Sequence, residues 1–277
     1  MVKVEEYNLT KKEMPYTITI TSGKNGVGKS FYVSNIGYLL SKCGFKVLVI
    51  DADFESPNLH HLFGVAPNLR ISDVNFDDVN ISNLICPLNE NLDFIGGGGA
   101  ANIEDLSKSD VLLAIYEQIL INREYDYILI DTASGNSEEV LASCNLADLI
   151  GILMTDDTSS LLDAYGLVKV LLDTIDIRYI KLMMNNCIDI SDCEEVSEKI
   201  DQATDLFLGV KFDYLAKIPY DRLVRKSFLE QSLLCREPDN VQSEARDAIL
   251  SSLENVLLYS GKDKAPFGVA QSEYNKL

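Results

Sequence analysis

The sequence predicts an α/β fold in which helices cover both faces of a doubly wound, mostly parallel β-sheet. Strand-like apolar runs alternate with helix-like segments along most of the chain, which is the order that a parallel sheet with crossover helices requires. Runs such as Ile128-Leu129-Ile130 are apolar at consecutive positions, as expected of strands that are buried on both faces. A glycine-rich loop at residues 23–30 joins the first strand to the first helix.

The individual elements follow from the hydrophobic pattern. Short apolar runs predict strands at residues 16–20, 45–50, 92–95, 126–130, 149–154, 180–184 and 214–217. Longer segments with apolar residues at intervals of three and four predict helices at residues 29–42, 103–121, 159–174, 193–206, 222–234 and 241–259. Right-handed crossovers would bring the loops that follow the strands together at the carboxyl edge of the sheet. We therefore expect the functional residues at that edge.

Length and composition are those of one large domain. The chain has 277 residues, of which 47% are hydrophobic, enough for a full buried core. We predict a polar arm at residues 1–14, one domain at residues 15–260 and a tail at residues 261–277. No run of about 18 apolar residues occurs, and the first residues lack the order of a secretion signal. The sequence therefore predicts a cytoplasmic protein.

Charge and cysteine content limit the possible partners. The formal net charge is −19, and so acidic a surface repels phosphate backbones and anionic lipids. Nonspecific DNA binding is therefore disfavoured. The six cysteines are scattered and form no C-x-x-C pair. This spacing argues against a disulfide framework, a zinc site or an iron–sulfur cluster that bridges two subunits.

The glycine-rich loop has the spacing G-x-x-x-x-G-K-[ST], which is typical of phosphate-binding loops. Backbone N–H groups and a helix N-terminus surround the phosphates in such a loop, and the lysine and hydroxyl would contact phosphate and Mg²⁺. The alternative is a glycine-rich turn without a nucleotide. We predict that ATP contacts the loop and the residue after it: Gly23, Lys24, Asn25, Gly26, Val27, Gly28, Lys29, Ser30 and Phe31.

Two predicted strands end in carboxylates that could complete a nucleotide site. Asp51-Ala52-Asp53 follows the strand at residues 45–50, and Asp131 follows the strand at residues 126–130. Asp131 fits a strand-end ligand of Mg²⁺, and Gly135 would let the next segment move toward the γ-phosphate. Alternatively, the first pair of carboxylates only caps the next segment. Ser30 and Asp131 are therefore predicted Mg²⁺ residues.

The loop resembles that of the MinD/ParA family of P-loop NTPases, whose motif K-G-G-x-G-K-[ST] carries a lysine at each end. Residues 24–30 differ from it only in Asn25, which stands where a glycine is usual. The resemblance implies a MinD-like P-loop NTPase fold and a nucleotide-sandwich dimer, in which Lys24 reaches the partner's phosphates. A solvated loop lysine is the alternative. The resemblance further implies that Asp51 supports the Mg²⁺ shell and that Asp53 orients the attacking water.

Segments in the second half resemble the flagellar-number regulators FlhG/FleN within that family. Residues 156–165 are similar to their D-E-P-T-S-I-T-D-A-Y segment, with Thr158 in place of the proline, and residues 218–227 are similar to their I-P-Y-D…V-R-K-A segment. The resemblance implies that Asn185 reads the adenine edge, with Asn186 as the alternate and a simple turn asparagine as the third possibility. Pro219 is assigned to the same nucleotide-binding set.

The resemblance implies a switch ATPase with slow hydrolysis that dimerises with ATP and acts through a regulatory protein partner on the placement or number of a cellular structure. A ParA-type partition ATPase and a metabolic enzyme on the same fold are the alternatives. Residues 1–14 lack the activating D-Q-A-x-x-L-R element of FlhG. Residues 265–273 lack the basic stripe of a lipid-binding helix, so we expect no autonomous membrane binding.

Overall fold

A computed structural model describes residues 14–73, 81–98, 107–122, 125–238 and 241–262 of the chain. The predicted arm, apart from Met14, and the predicted tail beyond residue 262 lie outside the described residues. The domain boundaries at these two ends therefore stay a prediction. Within the described ranges no helix combines the length and the apolar character needed to cross a lipid bilayer.

Eight strands in the described part of the chain form one sheet with the order β3-β4-β2-β5-β1-β6-β7-β8. Every neighbouring pair is parallel except β3 and β4, which are antiparallel at one edge. The strands are β1 Tyr16–Ser22, β2 Val47–Ala52, β3 Ile85–Asn89, β4 Leu92–Ile95, β5 Tyr127–Ser134, β6 Leu149–Met154, β7 Ile180–Cys187 and β8 Asp213–Pro219. The predicted mostly parallel sheet is confirmed.

Helices cover both faces of this sheet, as predicted. They are α1 Lys29–Lys42, α2 Leu59–Phe63, α3 Lys108–Asn122, α4 Glu138–Asn145, α5 Thr158–Leu171, α6 Ile190–Leu208, α7 Arg222–Leu229 and α8 Glu244–Ser260. Leu129 packs with α1 and α8 on one face, whereas Ile128 and Ile130 pack with α3 on the other. Consecutive residues of β5 thus enter different cores because strand side chains alternate in direction.

The structure corrects several predicted boundaries. β5 runs on to Ser134 and β7 to Cys187, since polar residues still pair with a neighbouring strand through their backbones. The helix predicted at residues 222–234 ends at Leu229, and α8 begins at Glu244 because the Ser243 side chain caps it. The sequence did not predict β3, α2 or α4. These elements have five to eight residues, too few for a clear hydrophobic period.

Candidate functional site

The carboxyl edge of the sheet brings the predicted site residues together, because the central strands β2, β5 and β1 are neighbours. Asp51 on β2 pairs in register with Asp131 on β5, and Asp131 pairs in register with Ile20 on β1. The glycine-rich loop begins at Gly23, directly after β1 ends at Ser22. Residues more than 100 positions apart in the sequence therefore meet around one loop.

Three glycines give the loop its shape. Gly26 and Gly28 have φ angles of 78° and 105°, which residues with a Cβ rarely adopt. A Cβ on Gly23 would lie 2.2 Å from the backbone carbon of Asp163, so the loop begins directly against the backbone of α5. The loop is thus held from the side by the helix that the FlhG-like segment forms.

The loop borders a cavity of about 350 Å³. Residues of the glycine-rich loop line it, together with residues from the β2–α2 segment, from α2 and from α7. The lining residues are Asn25, Gly26, Gly28, Lys29, Ser30, Phe31, Asp53, Asn58, His61, Leu62 and Phe228. The predicted water-orienting residue Asp53 therefore faces the same cavity as the predicted phosphate-binding residues.

Lys29 lies at the base of this cavity. Its side chain is buried, and its Nζ donates a hydrogen bond to Ser22 Oγ at 3.0 Å. Burial lowers the pKa of Lys29, while the charges of Asp131 and Asp53 oppose that shift. Water screens a buried ammonium little, so its attraction to a polyanion is strong, which fits the predicted phosphate contact.

Asp51 and Asp131 form a buried acidic pair next to Lys29. Asp51 accepts backbone N–H bonds from Asp53 at 3.2 Å and from Leu59 at 3.3 Å. Both oxygens of Asp131 are buried and accept no hydrogen bond of good geometry from the described residues. Burial raises the pKa of Asp131 to about 7, and the charge of Lys29 and the nearby Ser30 hydroxyl oppose that shift. Orphaned carboxylate oxygens beside a hydroxyl are ligands that suit Mg²⁺, so the residues fit the predicted metal.

Lys24 is directed away from the cavity of its own loop. Its Nζ donates to Asp157 Oδ1 at 2.8 Å and to Ser159 Oγ at 2.7 Å, and 39% of its side chain is exposed. Lys24, Thr155 and Ser159 together hold the pKa of Asp157 well below its usual range. The two lysines of the loop therefore have separate places, one inside the site and one on its rim.

The structure places the remaining predicted residues less directly on the nucleotide. Asn185 Nδ2 donates to the Val27 carbonyl at 2.7 Å, so this side chain braces the phosphate loop. Asn186 is exposed with a φ of 62° and lies at an irregularity of β7, where the pairing with β8 shifts between Asn185 and Cys187. Pro219 lies at the end of β8 and lines a separate groove between β8 and α8. Base recognition by Asn185 and the nucleotide role of Pro219 stay predictions.

Comparison with known proteins identifies the family to which this arrangement belongs. A model of the ParA family, described as NUBPL iron-transfer P-loop NTPase, matches residues 13–254. That range includes every residue of the site described above. The chain belongs to the ParA family of P-loop NTPases.

Similar proteins include a flagellum site-determining protein, an antiactivator and a septum site-determining protein. The chain is 29% identical to the flagellum site-determining protein YlxH of Helicobacter pylori, over 87% of this chain and 82% of that protein. It is 26% identical to the antiactivator FleN of Pseudomonas aeruginosa, over 77% of each. A structure of the septum site-determining protein MinD with Mg-ADP from Pyrococcus horikoshii shares the fold, with a TM-score of 0.68 at 24% identity over 88% of this chain and 96% of that one.

Sequence reasoning did not find four of the cavity residues. Asn58, His61 and Leu62 come from the short α2 segment, and Phe228 comes from α7, where its ring lies 5.9 Å from that of Phe31. These positions follow no ParA-family motif that we identified. Only the packing of α2 and α7 beside α1 brings them to the site.

The buried acidic pair predicts an unusual pH dependence of stability without metal. Burial raises the pKa of Asp131 to about 7, and burial together with Asp131 raises that of Asp51. The folded state then holds protons that the unfolded chain releases near pH 4, so the free energy of unfolding falls as pH rises from about 4 to about 7. Urea denaturation in EDTA measures this dependence, and Asp51→Asn is expected to flatten it.

The exposed Asp173 provides the control for this prediction, because Asp173→Asn removes a carboxylate far from the pair without changing the slope. Equal slopes for wild type and Asp51→Asn would contradict the assignment. Saturating Mg²⁺ with nucleotide is expected to stabilise the protein more as the pH rises through about 7, where Asp131 loses its proton.

Proposed function

We propose that this ParA-family protein is an ATP-dependent switch ATPase. ATP would bring two copies together, the dimer would bind a regulatory protein partner, and slow hydrolysis to ADP and phosphate would separate the copies. Through that partner the protein would regulate the placement or number of a cellular structure. The names of its relatives support this proposal, since they describe site-determining proteins and an antiactivator.

The position of Lys24 is the observation that carries the dimer proposal. Lys29 already supplies a buried ammonium to the site of its own chain, while Lys24 sits on the rim with 39% of its side chain exposed. A rim lysine can cross to the phosphates of a facing copy if it leaves Asp157. An exposed ion pair contributes little stability, about 0–1 kcal/mol, so this exchange requires little free energy.

The residues of the site fit the proposed hydrolysis. Ser30, Asp51 and Asp131 would hold Mg²⁺, which offsets charge on the phosphates when bound. Lys29 would bind phosphate oxygens from the base of the cavity. Asp53 faces the cavity, and its Oδ1 accepts the Ser56 N–H at 2.9 Å. That hydrogen bond fixes the carboxylate, which would orient the attacking water.

The net charge and the burial of the cysteines favour this proposal over DNA partition and over iron–sulfur cluster transfer, two other activities that this fold can carry. The net charge of −19 opposes the nonspecific DNA binding of a partition ATPase. An iron–sulfur carrier would need exposed paired thiols, whereas the six cysteines are buried or half-buried. Binding of ATP-loaded protein to DNA at low salt would favour the partition alternative instead.

Replacing Lys24 with alanine tests the dimer proposal. We expect ATP-induced dimerisation to weaken about tenfold, because the contact across the interface is charge-assisted and about 1.5 kcal/mol is lost. Binding of ATP to the monomer should change less than twofold, roughly the effect of an exposed charge. Light scattering and fluorescent-nucleotide titration measure the two quantities. By linkage, the weaker dimer should also retain ATP less tightly.

Lys169 offers a matched control, since it is an exposed lysine on α5 away from the loop. Lys169→Ala should dimerise like wild type. If Lys24→Ala also kept the wild-type dimer affinity, Lys24 would have no role across the interface.

A further inference from the structure

Lys108 links the two chain segments that flank the proposed γ-phosphate position. Its Nζ lies 2.9 Å from Glu55 Oε1 and 3.8 Å from Glu139 Oε1. Glu55 follows Asp53 by two residues, and Glu139 follows Gly135 by four residues in the first turn of α4. One ammonium on α3 therefore contacts both the segment after β2 and the segment after β5.

Helix stability does not explain this placement. Lys108 is the first residue of α3, and a cation at a helix N-terminus faces the positive end of the helix dipole. Its acidic neighbours compensate: the hydrogen bond that Lys108 donates to Glu55, together with the charges of Glu139 and Asp53, raises the pKa of Lys108. The lysine is thus held by acidic groups of the two loop segments and lies within electrostatic reach of Asp53.

Of the two contacts that Lys108 makes, the one with Glu139 is the less exposed to solvent. The side chain of Glu139 is only 14% exposed and that of Lys108 27%, whereas that of Glu55 is 77% exposed. Solvent screens the pair with Glu55, so its contribution to stability is small. The Lys108–Glu139 contact lies where α3 packs against α4 and is less screened, so it holds Lys108 against the start of α4, while the hydrogen bond to Glu55 extends to the segment after β2.

We infer that Lys108 is a positioning residue for ATP hydrolysis, which holds the Asp53 segment and the start of α4 in one arrangement so that Asp53 is aimed into the cavity. This inference rests on the proposed function. Lys108 does not line the cavity among the described residues, so its effect on the site would pass through Glu55 to Asp53. It should therefore act on turnover and leave nucleotide affinity almost unchanged.

The test uses full-length protein and compares Lys108→Met, which removes the charge, with Lys108→Arg, which keeps it. We expect Lys108→Met to lower kcat for ATP hydrolysis about tenfold, the effect of a misaimed catalytic group, with KM changed less than about twofold. Lys108→Arg should restore at least about half of kcat. ATP-induced dimerisation should persist in both variants.

Two further measurements separate positioning from a general structural effect. Glu139→Gln should lower kcat to a similar extent, and the double variant with Lys108→Met should be no slower than the slower single variant, because both changes remove one link. Hydrogen exchange should increase at residues 53–59 and 136–141 in Lys108→Met. Lys199→Met, which breaks the exposed pair with Glu195 on α6, should match wild type in every measurement.

The outcomes distinguish a failure of the proposed ATPase activity from a failure of the role inferred for Lys108. Wild-type protein that dimerises with ATP but never hydrolyses it would refute the proposed ATPase activity, and with it the role of Lys108 in turnover. Active wild-type protein with unchanged kcat in Lys108→Met would overturn only the inference. Fully additive losses in the double variant, or no recovery of kcat in Lys108→Arg, would overturn it as well.

Discussion

Replacing Lys29 with alanine is expected to weaken ATP binding about 100-fold, which corresponds to about 3 kcal/mol. The reason is the position of this ammonium at the base of the cavity, where its side chain is buried and bonded to Ser22 Oγ at 3.0 Å. Charge-assisted hydrogen bonds to phosphate are strong there because little water screens them. Isothermal titration with a nonhydrolysable ATP analogue in Mg²⁺ measures the loss.

Lys42 is the matched control for this prediction. It lies on the same helix α1, is exposed, and approaches the ring of Tyr38 at 5.5 Å, so Lys42→Ala should bind ATP like wild type. Circular dichroism verifies that Lys29→Ala is folded. Wild-type affinity in a folded Lys29→Ala protein would contradict the assignment of the loop to the triphosphate.

Replacing Asp53 with alanine should lower the rate of ATP hydrolysis about 100-fold and accumulate the ATP-bound dimer. Asp53 faces the cavity and is fixed by the Ser56 N–H at 2.9 Å. Without this carboxylate the attacking water loses its orientation, while the residues that bind phosphate stay in place. Phosphate release measures turnover, and size-exclusion chromatography with ATP measures the dimer.

Asp173→Ala serves as the control here, because it removes an exposed carboxylate after α5 and should hydrolyse ATP like wild type. Asp53→Ala and Lys24→Ala are expected to shift the dimer in opposite directions. If turnover of Asp53→Ala equalled that of wild type, another group would have to orient the water.

The sequence predicted more of the site than of its surroundings. Lys29, Ser30, Asp51 and Asp131 were found because each stands at a fixed spacing from a strand end, and the structure brings all four together. Asn185 shows the limit of that approach. The resemblance implies base recognition for Asn185, which stays a prediction. The structure adds that its amide donates to the Val27 carbonyl at 2.7 Å, a long-range contact that no local pattern encodes.

By itself, the sequence determined the α/β class, the phosphate loop with its two lysines, and the strand-end carboxylates. These features depend on local chemistry: hydrophobic period, glycine backbone freedom and the spacing of charged residues along the chain. Only the tertiary structure decided that Lys24 rests on Asp157, that Phe228 and His61 enclose the cavity, and that Lys108 joins two distant segments. Such contacts arise when separate elements pack on one sheet, so their partners follow from three-dimensional position and not from order in the chain.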